Sequence, residues 1–374
     1  MILKELKTFS VLAILLTYTP LCLGEDAQTN VDVPQLQTGA ALELYVPLPV
    51  ENAIPDGERA RIRSFEATSV VRLASDAPAF SGKLTIGAND FNGDLTLNIR
   101  EGFIAAYDLL PNLDLRVGKF FLPFGILNQT RRSAWSFISA PIAIERFLSD
   151  QGVADIGIDF RYSLGTSFHL QAGLTNGYRF DSSIANAGAK PMTPTHFVRS
   201  SYDFELGESR LTVGANYLMR VNEVGTGLRM SGLDLLYSDR DESNSRVDRW
   251  NAQAEIYDRA TTLSNLPVTE DIGGYAYAER TLGHYAAGLR ADYFQVRSLT
   301  DLAGKYRANM NMGLTPVFSY SAYGHLKMQG SYTFSVDTRA GDSTRVEQRI
   351  EIRLVTEIGP IPKSRNLELG RSSL

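Results

Sequence analysis

The 374-residue sequence contains a single cysteine, Cys22, close to its N-terminus. The stretch around it has the composition of an export signal. The exported chain is therefore expected to have no disulfide, no thiolate nucleophile and no sulfur ligand for a metal. A lipid anchor on Cys22 would require a small residue immediately before it, and Leu21 is not small. We therefore interpret Cys22 as an ordinary signal residue.

Long hydrophobic runs are also missing from the sequence. The apolar run nearest the N-terminus, residues 9–16, follows the two basic residues Lys4 and Lys7. Its length of about eight residues is typical of a signal peptide, whereas a transmembrane helix needs about 20 apolar residues. The sequence therefore predicts a signal peptide over residues 1–24 that is cleaved after Gly24.

Signatures of catalysis and of nucleic-acid binding are absent as well. The sequence has no Gly-x-Ser-x-Gly, His-Glu-x-x-His or glycine-rich phosphate-loop motif. A net charge of -5 argues against a nucleic-acid partner. The four histidines are scattered and are interpreted as isolated residues: His169, His196, His284 and His325. No cofactor or metal is predicted, and a hydrolase would need a Ser–His or Asp–His pair that folding brings together.

What the sequence does have is alternation with a period of two residues over most of its length. Hydrophobic residues make up 44% and the mean hydropathy is -0.13, values that suit a soluble protein. Membrane barrels share this composition, because their lipid-facing residues alternate with polar interior residues. In residues 156–162, the apolar set Ile156, Ile158, Phe160 and Tyr162 alternates with Gly157, Asp159 and Arg161.

Successive segments with this alternation can be delimited along the chain. Most of them reach the about 9–11 residues that a tilted strand needs to cross a bilayer. The predicted strands are 39–48, 63–73, 80–88, 94–109, 112–121, 153–163, 166–175, 194–206, 209–220, 228–239, 246–258, 272–282, 285–297, 306–321, 324–336 and 346–358. The sequence therefore predicts an all-β fold, a transmembrane antiparallel up-and-down β-barrel of about 16 strands (range about 14–18).

The predicted connections alternate between short and long. Outer-membrane barrels have short turns on the periplasmic side and long loops outside. The short turns fall near residues 110, 164, 207, 282 and 322, and the longer connections are 122–152, 176–193, 221–227, 259–271, 298–305 and 337–345. The connection 240–245 is longer than its place in this alternation predicts. An even number of strands places both termini in the periplasm.

A soluble secreted β-protein, such as a sandwich or a series of small domains, is the main alternative fold. Strands of about 11–14 residues are long for a sandwich, where about five or six is usual. The linkers expected between domains of about 100–200 residues are also missing. Tyrosines near strand ends fit the aromatic girdles of a membrane barrel: Tyr162, Tyr237, Tyr257, Tyr293 and Tyr320. These features favour the membrane barrel.

The strand that ends near residue 121 leads into a distinctive corner. Pro123 cannot donate a hydrogen bond to a sheet, and Gly125 permits a turn that other residues resist. Phe120, Phe121 and Phe124 are suited to the level of the membrane interface. The connection that follows is long for an unstructured loop, which indicates either a functional loop or one that folds inward.

This corner resembles the strand-to-loop corner of the phosphate-selective porin superfamily and its porin-like relatives. The shared pattern, Gly-basic-aromatic-x-x-Pro-Phe-Gly, is formed here by Gly118, Lys119, Phe120, Pro123, Phe124 and Gly125. The return strand at 152–157 and the ending at 357–360 are similar to the family as well. The resemblance implies a porin of about 16 strands with a loop folded inward. The chain departs from many barrels in continuing past Ile358 without a terminal aromatic residue.

Charged residues on the polar face of the predicted strands come in pairs of opposite sign. The candidates for lining a pore are Arg116, Asp159, Arg161, Arg290, Asp292, Arg349, Glu351 and Arg353. An anion-selective path would need a ladder of one sign. The balanced pairs therefore favour a network that braces the barrel wall, with a substrate-guiding role as the alternative. Phosphate selectivity does not follow from them.

Arg131 and Arg132 lie in the long connection 122–152 and are candidates for a constriction. If this connection folds into the barrel, their positive charge would favour anions. In the alternative, the connection lies outside the barrel and the two arginines contact lipopolysaccharide or solvent.

Together, these patterns predict an outer-membrane porin through which small hydrophilic solutes diffuse passively, and not an enzyme. The predicted regions are the signal peptide 1–24, a short periplasmic segment 25–38, the barrel 39–358 and a C-terminal tail 359–374. The rivals are a non-channel barrel, acting as an adhesin, a scaffold or a plugged barrel, and an outer-membrane hydrolase. The expected partners are outer-membrane lipid, lipopolysaccharide and the barrel-assembly machinery, with a homotrimer as the assembly considered.

Overall fold

The computed structural model describes residues 35–49, 60–72, 79–91, 94–149, 151–177, 192–221, 225, 227–239, 248–262, 269–298, 309–322, 325–339 and 344–359. The predicted signal peptide, most of the predicted segment 25–38 and the tail beyond residue 359 lie outside these described residues. The expected cleavage after Gly24 therefore stays a prediction.

Sixteen strands form one closed antiparallel barrel, in which each strand pairs with its neighbours in sequence and the last strand pairs with the first. The strands are β1 (Gln35–Pro49), β2 (Arg61–Arg72), β3 (Ala79–Phe91), β4 (Asp94–Leu110), β5 (Leu113–Phe121), β6 (Ala154–Leu164), β7 (Phe168–Thr175), β8 (Thr195–Leu206), β9 (Ser209–Val221), β10 (Gly227–Asp239), β11 (Arg249–Thr262), β12 (Thr269–Leu282), β13 (Tyr285–Ser298), β14 (Asn309–Ala322), β15 (Leu326–Arg339) and β16 (Arg345–Ile358). The predicted fold class, an all-β antiparallel up-and-down barrel, is confirmed.

Each predicted strand corresponds to one observed strand, and the differences lie at the strand ends. β1 begins at Gln35 rather than at residue 39, and β11 continues to Thr262 rather than ending at residue 258. These extra residues pair with neighbouring strands, as in Gln35 with Arg72 and Thr262 with Gly227. Backbone pairing in a closed barrel thus continues beyond the apolar pattern that marks a strand in the sequence.

Side chains alternate between the outside and the interior of the barrel. On β6, Ile156 and Phe160 are 54% and 45% exposed, whereas Asp159 is fully buried. On β7, Leu170 is exposed and Gln171 is buried. The exposed large apolar residues therefore form the outer surface, and many charged and polar residues are buried on the inner face.

A bulge where β3 pairs with β4 modifies this alternation. The register shifts between Thr85 and Ile86, so two residues of β4 face one position of β3. The consecutive residues Arg100 and Glu101 are consequently both buried inside the barrel. The bulge therefore adds a charged side chain to the interior that strict alternation would turn outward.

The connections define two sides of the barrel. The short-turn side carries the turns that join β4 to β5, β6 to β7, β8 to β9, β12 to β13 and β14 to β15. The opposite, long-loop side carries the longest connection, between β5 and β6. Residues 240–248 separate β10 from β11 on the short-turn side, so this connection is long, as the sequence indicated. On the long-loop side, only residues 92–93 separate β3 from β4.

The connection between β5 and β6 contains the described helices of the chain. Two 3-10 turns, Leu127–Gln129 and Arg132–Ala134, are followed by the short helix α1 (Ile142–Leu148). Among the residues that the structure describes, no helix is both long and apolar enough to cross a membrane.

Candidate functional site

The chain between β5 and β6 folds into the barrel, and we call its residues 122–149 the inner segment. Pro123, which has no amide hydrogen to donate, stands where the pairing of β5 ends. Gly125 has a φ of 72°, and a Cβ there would collide with the Tyr257 hydroxyl and the Glu255 carboxylate. Glycine is therefore needed at this corner both for its conformation and for close approach to β11.

Aromatic residues of the inner segment pack against aromatic residues of the barrel wall. The ring centroid of Phe137 lies 5.3 Å from that of Tyr277 and 6.0 Å from that of Tyr275. Phe147 on α1 lies 5.8 Å from Tyr257 in an edge-on arrangement. Such aromatic pairs are stabilising beyond the area that they bury. An apolar core therefore lies inside the barrel, between the inner segment and the strands β11–β13.

This core corrects two predictions about aromatic residues. Phe120, Phe121 and Phe124 do not lie at the membrane interface, because all three are buried. Tyr257 does not belong to an outer girdle, because it is buried inside the barrel and stacks on Phe124. The period-two pattern could not reveal this, since the apolar partners of these rings come from the inner segment and not from the wall.

Carboxylates of the wall, and the side-chain amide oxygen of Asn216, accept hydrogen bonds from backbone N–H groups of the inner segment. The amides of Ile126 and Leu127 donate to the two carboxylate oxygens of Glu255, at 3.1 and 2.9 Å. At the start of α1, the amide of Ile142 donates to Asp292 at 3.3 Å. These backbone N–H groups have no partner in a sheet or within a long helix, so the wall side chains supply their hydrogen-bond acceptors.

Cationic side chains of the wall donate to the carbonyl oxygens of the same segment. Arg290 donates to the Ser139 carbonyl at 2.6 Å, and Arg353 donates to the carbonyls of Arg132 and Trp135 at 3.0 and 2.7 Å. Three more cationic side chains of the wall donate to backbone carbonyls of the segment. Lys327 donates to the carbonyl of Trp135, Arg259 to the carbonyl of Arg146, and Arg63 to the carbonyl of Ile138. Charged side chains of the wall therefore bind both the backbone N–H groups and the backbone carbonyl groups of the inner segment.

Other charged candidates pair within the wall. Arg116 on β5 donates to Asp159 on β6 at 3.0 Å from Nε, and both side chains are buried. Arg349 lies 3.3 Å from Glu351, which also accepts a hydrogen bond from Tyr45 at 2.7 Å. The interpretation of a bracing network thus describes only some of the candidates, because Arg290, Asp292 and Arg353 bind the inner segment. The half-buried Arg161 lines a cavity on the short-turn side.

Arg131 and Arg132 lie inside the barrel. Arg131 is 1% exposed, donates to the Thr68 hydroxyl and has its Nε 3.9 Å from the Glu66 carboxylate. Arg132 is 7% exposed, and its Nε lies 3.7 Å from Glu43. Both arginines therefore face the wall strands β1 and β2 and do not lie on the outer surface.

The residues of the family-like corner have separate positions. Gly118 has a φ of 133° where its Cα approaches Phe103 and Gly102 of β4, so a side chain there would collide with the backbone. Lys119 pairs in register with the outward-facing Ile156, and its ammonium group donates to the Ile99 carbonyl. Lys119 therefore adds no charge to the interior.

Several residues of the site were missed by the sequence analysis, most clearly Glu255, Glu43, Glu66 and Arg63. We selected charges that have an opposite charge two residues away, because such neighbours share a face of a strand. Glu255 has no such neighbour, since its partners are the backbone of the inner segment and the hydroxyls of Tyr257 and Tyr275. The available signal was a lone acidic residue at an inward position of β11, between Gln253 and Tyr257.

Cavities lined by polar and apolar groups flank the inner segment on both sides. A cavity of about 560 Å³ lies on the short-turn side, against β10–β16, with one of about 240 Å³ beside it. A cavity of about 350 Å³ lies on the long-loop side, against β2–β4. The adjacent residues Ser133 and Arg132 line the cavities on the short-turn and long-loop sides, respectively. The inner segment thus separates the two sets of cavities near Arg132.

Folding also brings a serine, a histidine and an aspartate together near the short-turn side. The Ser163 hydroxyl lies 3.0 Å from Nδ1 of His169, whose Nε2 lies 3.6 Å from Asp203. The interpretation of His169 as an isolated residue is therefore wrong. Nucleophilic catalysis also needs a nucleophile that a substrate can reach, and Ser163 has no exposed surface. The group fits a structural cluster better than a catalytic one.

The fold is similar to solved structures of outer-membrane proteins. The outer-membrane channel DcaP of Acinetobacter baumannii matches with a TM-score of 0.61 and 11% identity, over 87% of this chain and 97% of that chain. The anion-selective porin from Comamonas acidovorans matches with a TM-score of 0.59 and 8% identity, over 88% of this chain and 100% of that chain. OmpT of Vibrio cholerae, in its trimer form, matches with a TM-score of 0.55 and 10% identity, over 87% of this chain and 100% of that chain.

Sequence comparisons add no closer relationship. No protein-family model matches the chain, and no curated protein sequence matches it. The structural similarities do not confirm the phosphate-selective superfamily in particular. At these identities they establish the fold alone: the chain has the closed 16-strand architecture of porin-like outer-membrane barrels.

Proposed function

We propose that this protein is an outer-membrane porin that lets small hydrophilic solutes diffuse passively through its interior. The observation that carries the proposal is the placement of cavities with charged and polar lining residues on both sides of the inner segment, within a wall whose outer face is apolar. Apolar residues on the outside suit lipid, and charged residues on the inside suit water and polar solutes. The signal peptide predicted over residues 1–24 supports export to this membrane.

A plugged barrel is the second candidate, and the inner segment itself favours it. Residues of the segment form an apolar core with the wall that includes Phe124, Phe137 and Phe147. Both its amides and its carbonyls are held by wall side chains, as by Glu255 and Arg290. A segment anchored in this way is a fixed part of the interior and not a loosely hanging loop.

Single-channel recording in a planar bilayer tests the proposal. The purified protein, inserted from detergent, should give discrete current steps in potassium chloride, and the same detergent without protein should give none. A protein that folds and inserts but gives no steps would be a plugged barrel. Insertion is scored separately, by protection of the reconstituted barrel from protease.

The remaining assignments are proposals of the same kind. We assign no catalytic activity to the chain, in keeping with the buried position of Ser163. Membership of the phosphate-selective superfamily rests on the corner from Gly118 to Gly125. Both termini are placed in the periplasm, and lipopolysaccharide and the barrel-assembly machinery are the proposed partners. A homotrimer is the proposed assembly, and the trimer form of the similar OmpT structure supports it.

A further inference from the structure

The cavity on the long-loop side has an unusual concentration of positive charge. The described residues that line it include four arginines, which are Arg61, Arg63, Arg100 and Arg132, and one carboxylate, that of Glu66. Counted over these described residues, the formal charge of the lining is +3, from four positive groups and one negative group. The whole chain, by contrast, carries a formal charge of -5. The cavity is thus locally basic within an acidic protein.

The carboxylates behind this cavity are shared among several guanidinium groups. Oε1 of Glu43 lies 3.9 Å from Nε of Arg63, 3.7 Å from Nε of Arg132 and 3.9 Å from Nη1 of Arg353. None of these distances is that of a direct hydrogen bond. The Glu43 carboxylate therefore lies among three guanidinium groups and interacts with each of them through space.

Glu66 repeats this arrangement on the neighbouring strand. Its carboxylate lies 3.5 Å from Nε of Arg100 and 3.9 Å from Nε of Arg131. Among the residues that the structure describes, Glu43 and Glu66 are thus shared by five guanidinium groups. Partly buried positive charge is costly, and an anion that enters the cavity beside these guanidinium groups lowers this cost.

Uncharged hydrogen-bonding residues complete the lining of the cavity. These are Ser64, Asn89, Thr96, Asn98 and Gln151. The side chain of Asn98 is exposed at an inward position of β4, between the outward-facing Leu97 and Ile99. Amide and hydroxyl groups of this kind bind hydroxyl groups of a ligand as readily as they bind water. The volume of about 350 Å³ lies within the range of small-molecule sites.

We propose that this cavity binds a small organic carboxylate that carries hydroxyl groups, such as a sugar acid. The carboxylate lies against Arg61 and Arg100, and the hydroxyl groups bind the neutral residues around Asn98. This proposal rests on the proposed porin function in one respect, that the cavity lies on the path by which the solute crosses the barrel. The binding site itself depends on the lining residues and not on conduction.

Isothermal titration calorimetry of the full-length protein in detergent tests this site with three probes: gluconate, glucose and inorganic phosphate. Gluconate should bind more tightly than phosphate, because its chain of hydroxyl groups extends from the arginines to the neutral residues, whereas phosphate is a single compact anion. Glucose, which has no charge, should not bind measurably. Arg61→Gln should weaken gluconate binding at least about tenfold, as expected for the loss of one charge-assisted hydrogen bond. Arg61 is only half-buried, so this change should leave the barrel folded.

Two further variants separate the contributions. Arg229→Gln is the matched control, because this exposed arginine lies between the inward-facing Leu228 and Met230 and should leave all binding unchanged. Asn98→Ala should weaken gluconate binding and leave phosphate binding unchanged. Phosphate binding as tight as gluconate binding would overturn the hydroxylated class in favour of a simple anion site. Equal binding of glucose, or an effect of Arg229→Gln as large as that of Arg61→Gln, would overturn the site.

Conduction is measured separately, so the two proposals can fail independently. A protein that gives current steps but binds no gluconate keeps the porin proposal and loses the sugar-acid site. A protein that binds gluconate with the predicted dependence on Arg61, but gives no steps, keeps the site and loses the porin proposal.

Discussion

Arg116 on β5 and Arg290 on β13 both point into the barrel, and each has a carboxylate oxygen within 3.0 Å of its Nε. Arg116 pairs across two strands with Asp159 of the wall. Arg290 pairs with Asp292 and also donates to the Ser139 carbonyl of the inner segment. Two arginines that each have an acidic residue two positions away in the sequence, Asp114 and Asp292, therefore belong to different parts of the molecule. The first braces the wall, and the second attaches the inner segment to it.

The position of the inner segment explains this difference. The segment packs its aromatic side chains against β11–β13, so wall charges on those strands meet its backbone. Arg116 instead lies on β5, before the segment begins, and its guanidinium carbon is 4.2 Å from the ring centroid of Phe120. The same interior thus contains charges that stabilise the barrel and charges that position its contents, and substitutions should separate the two.

The largest effect is expected from Arg116→Met. The change leaves Asp159 as a buried charge without its guanidinium partner, which typically costs about 3–5 kcal/mol. The free energy of unfolding in urea, measured in detergent, should fall by this amount. Hydrogen exchange in the inner segment should stay as slow as in the parent protein, because Arg116 pairs with Asp159 of the wall and not with the segment. Arg345→Met, at a residue with a largely exposed side chain, is the control.

An exchange rate in the inner segment that rises with Arg116→Met would break the comparison. It would mean that the wall pair and the segment anchors form one cooperative unit. A loss of stability no larger than that of the Arg345 control would show that the Arg116–Asp159 pair contributes nothing beyond a surface pair.

Arg290→Met should have an intermediate effect that is confined to the inner segment. The change removes a charge-assisted hydrogen bond to the Ser139 carbonyl, and such bonds contribute about 1.5–3 kcal/mol. Asp292 also loses its guanidinium partner, but it keeps a backbone donor of the inner segment, the amide of Ile142, so the loss is expected mainly in this segment. Hydrogen–deuterium exchange monitored by mass spectrometry should therefore speed up in residues 136–148. Unchanged exchange there, with a loss of barrel stability instead, would place Arg290 with the wall.

The barrel could be predicted from the sequence because its signal repeats in every strand. Alternation on β6, for example, depends only on residues 156–162, which face lipid and interior in turn. Each segment repeats the same physical requirement, so an error at one strand end does not change the architecture. The ends of β1 and β11 were placed less well, because backbone pairing there involves residues without alternation.

The candidate site could be predicted only in part. Arg290, Asp292 and Arg353 were selected as charges on the inner face, which the structure confirms, but their contacts come from a segment far away in sequence. The anchoring role of Glu255 could not be inferred either, because it accepts backbone amides, and every residue of the chain except proline has one. Contacts between a side chain and a distant backbone leave no pattern in the sequence.

The smallest effect is expected from Asp248→Asn, which tests whether pairing geometry alone matters. Asp248 lies just before β11 and accepts a hydrogen bond from Nε of Arg280 at 2.8 Å, much like Asp292 with Arg290. This bond holds the pKa of Asp248 below its usual value, with the nearby charge of Arg280 contributing less. A lowered pKa stabilises the folded state above the unfolded pKa of about 3.9, and this contribution is lost as the pH falls further.

The Asp248–Arg280 pair is exposed to solvent, however, and solvent screens exposed pairs strongly. The melting temperature of Asp248→Asn should therefore match that of the parent at pH 7, and the two proteins should still agree when the pH is lowered to 3. The melting temperature of Asp248→Asn at pH 7 could instead fall as far as that of Arg290→Met, with the difference from the parent absent at pH 3. That result would show that hydrogen-bond geometry governs these pairs. Agreement at both pH values would instead assign the difference to burial, because the two pairs share their geometry and differ in their access to water.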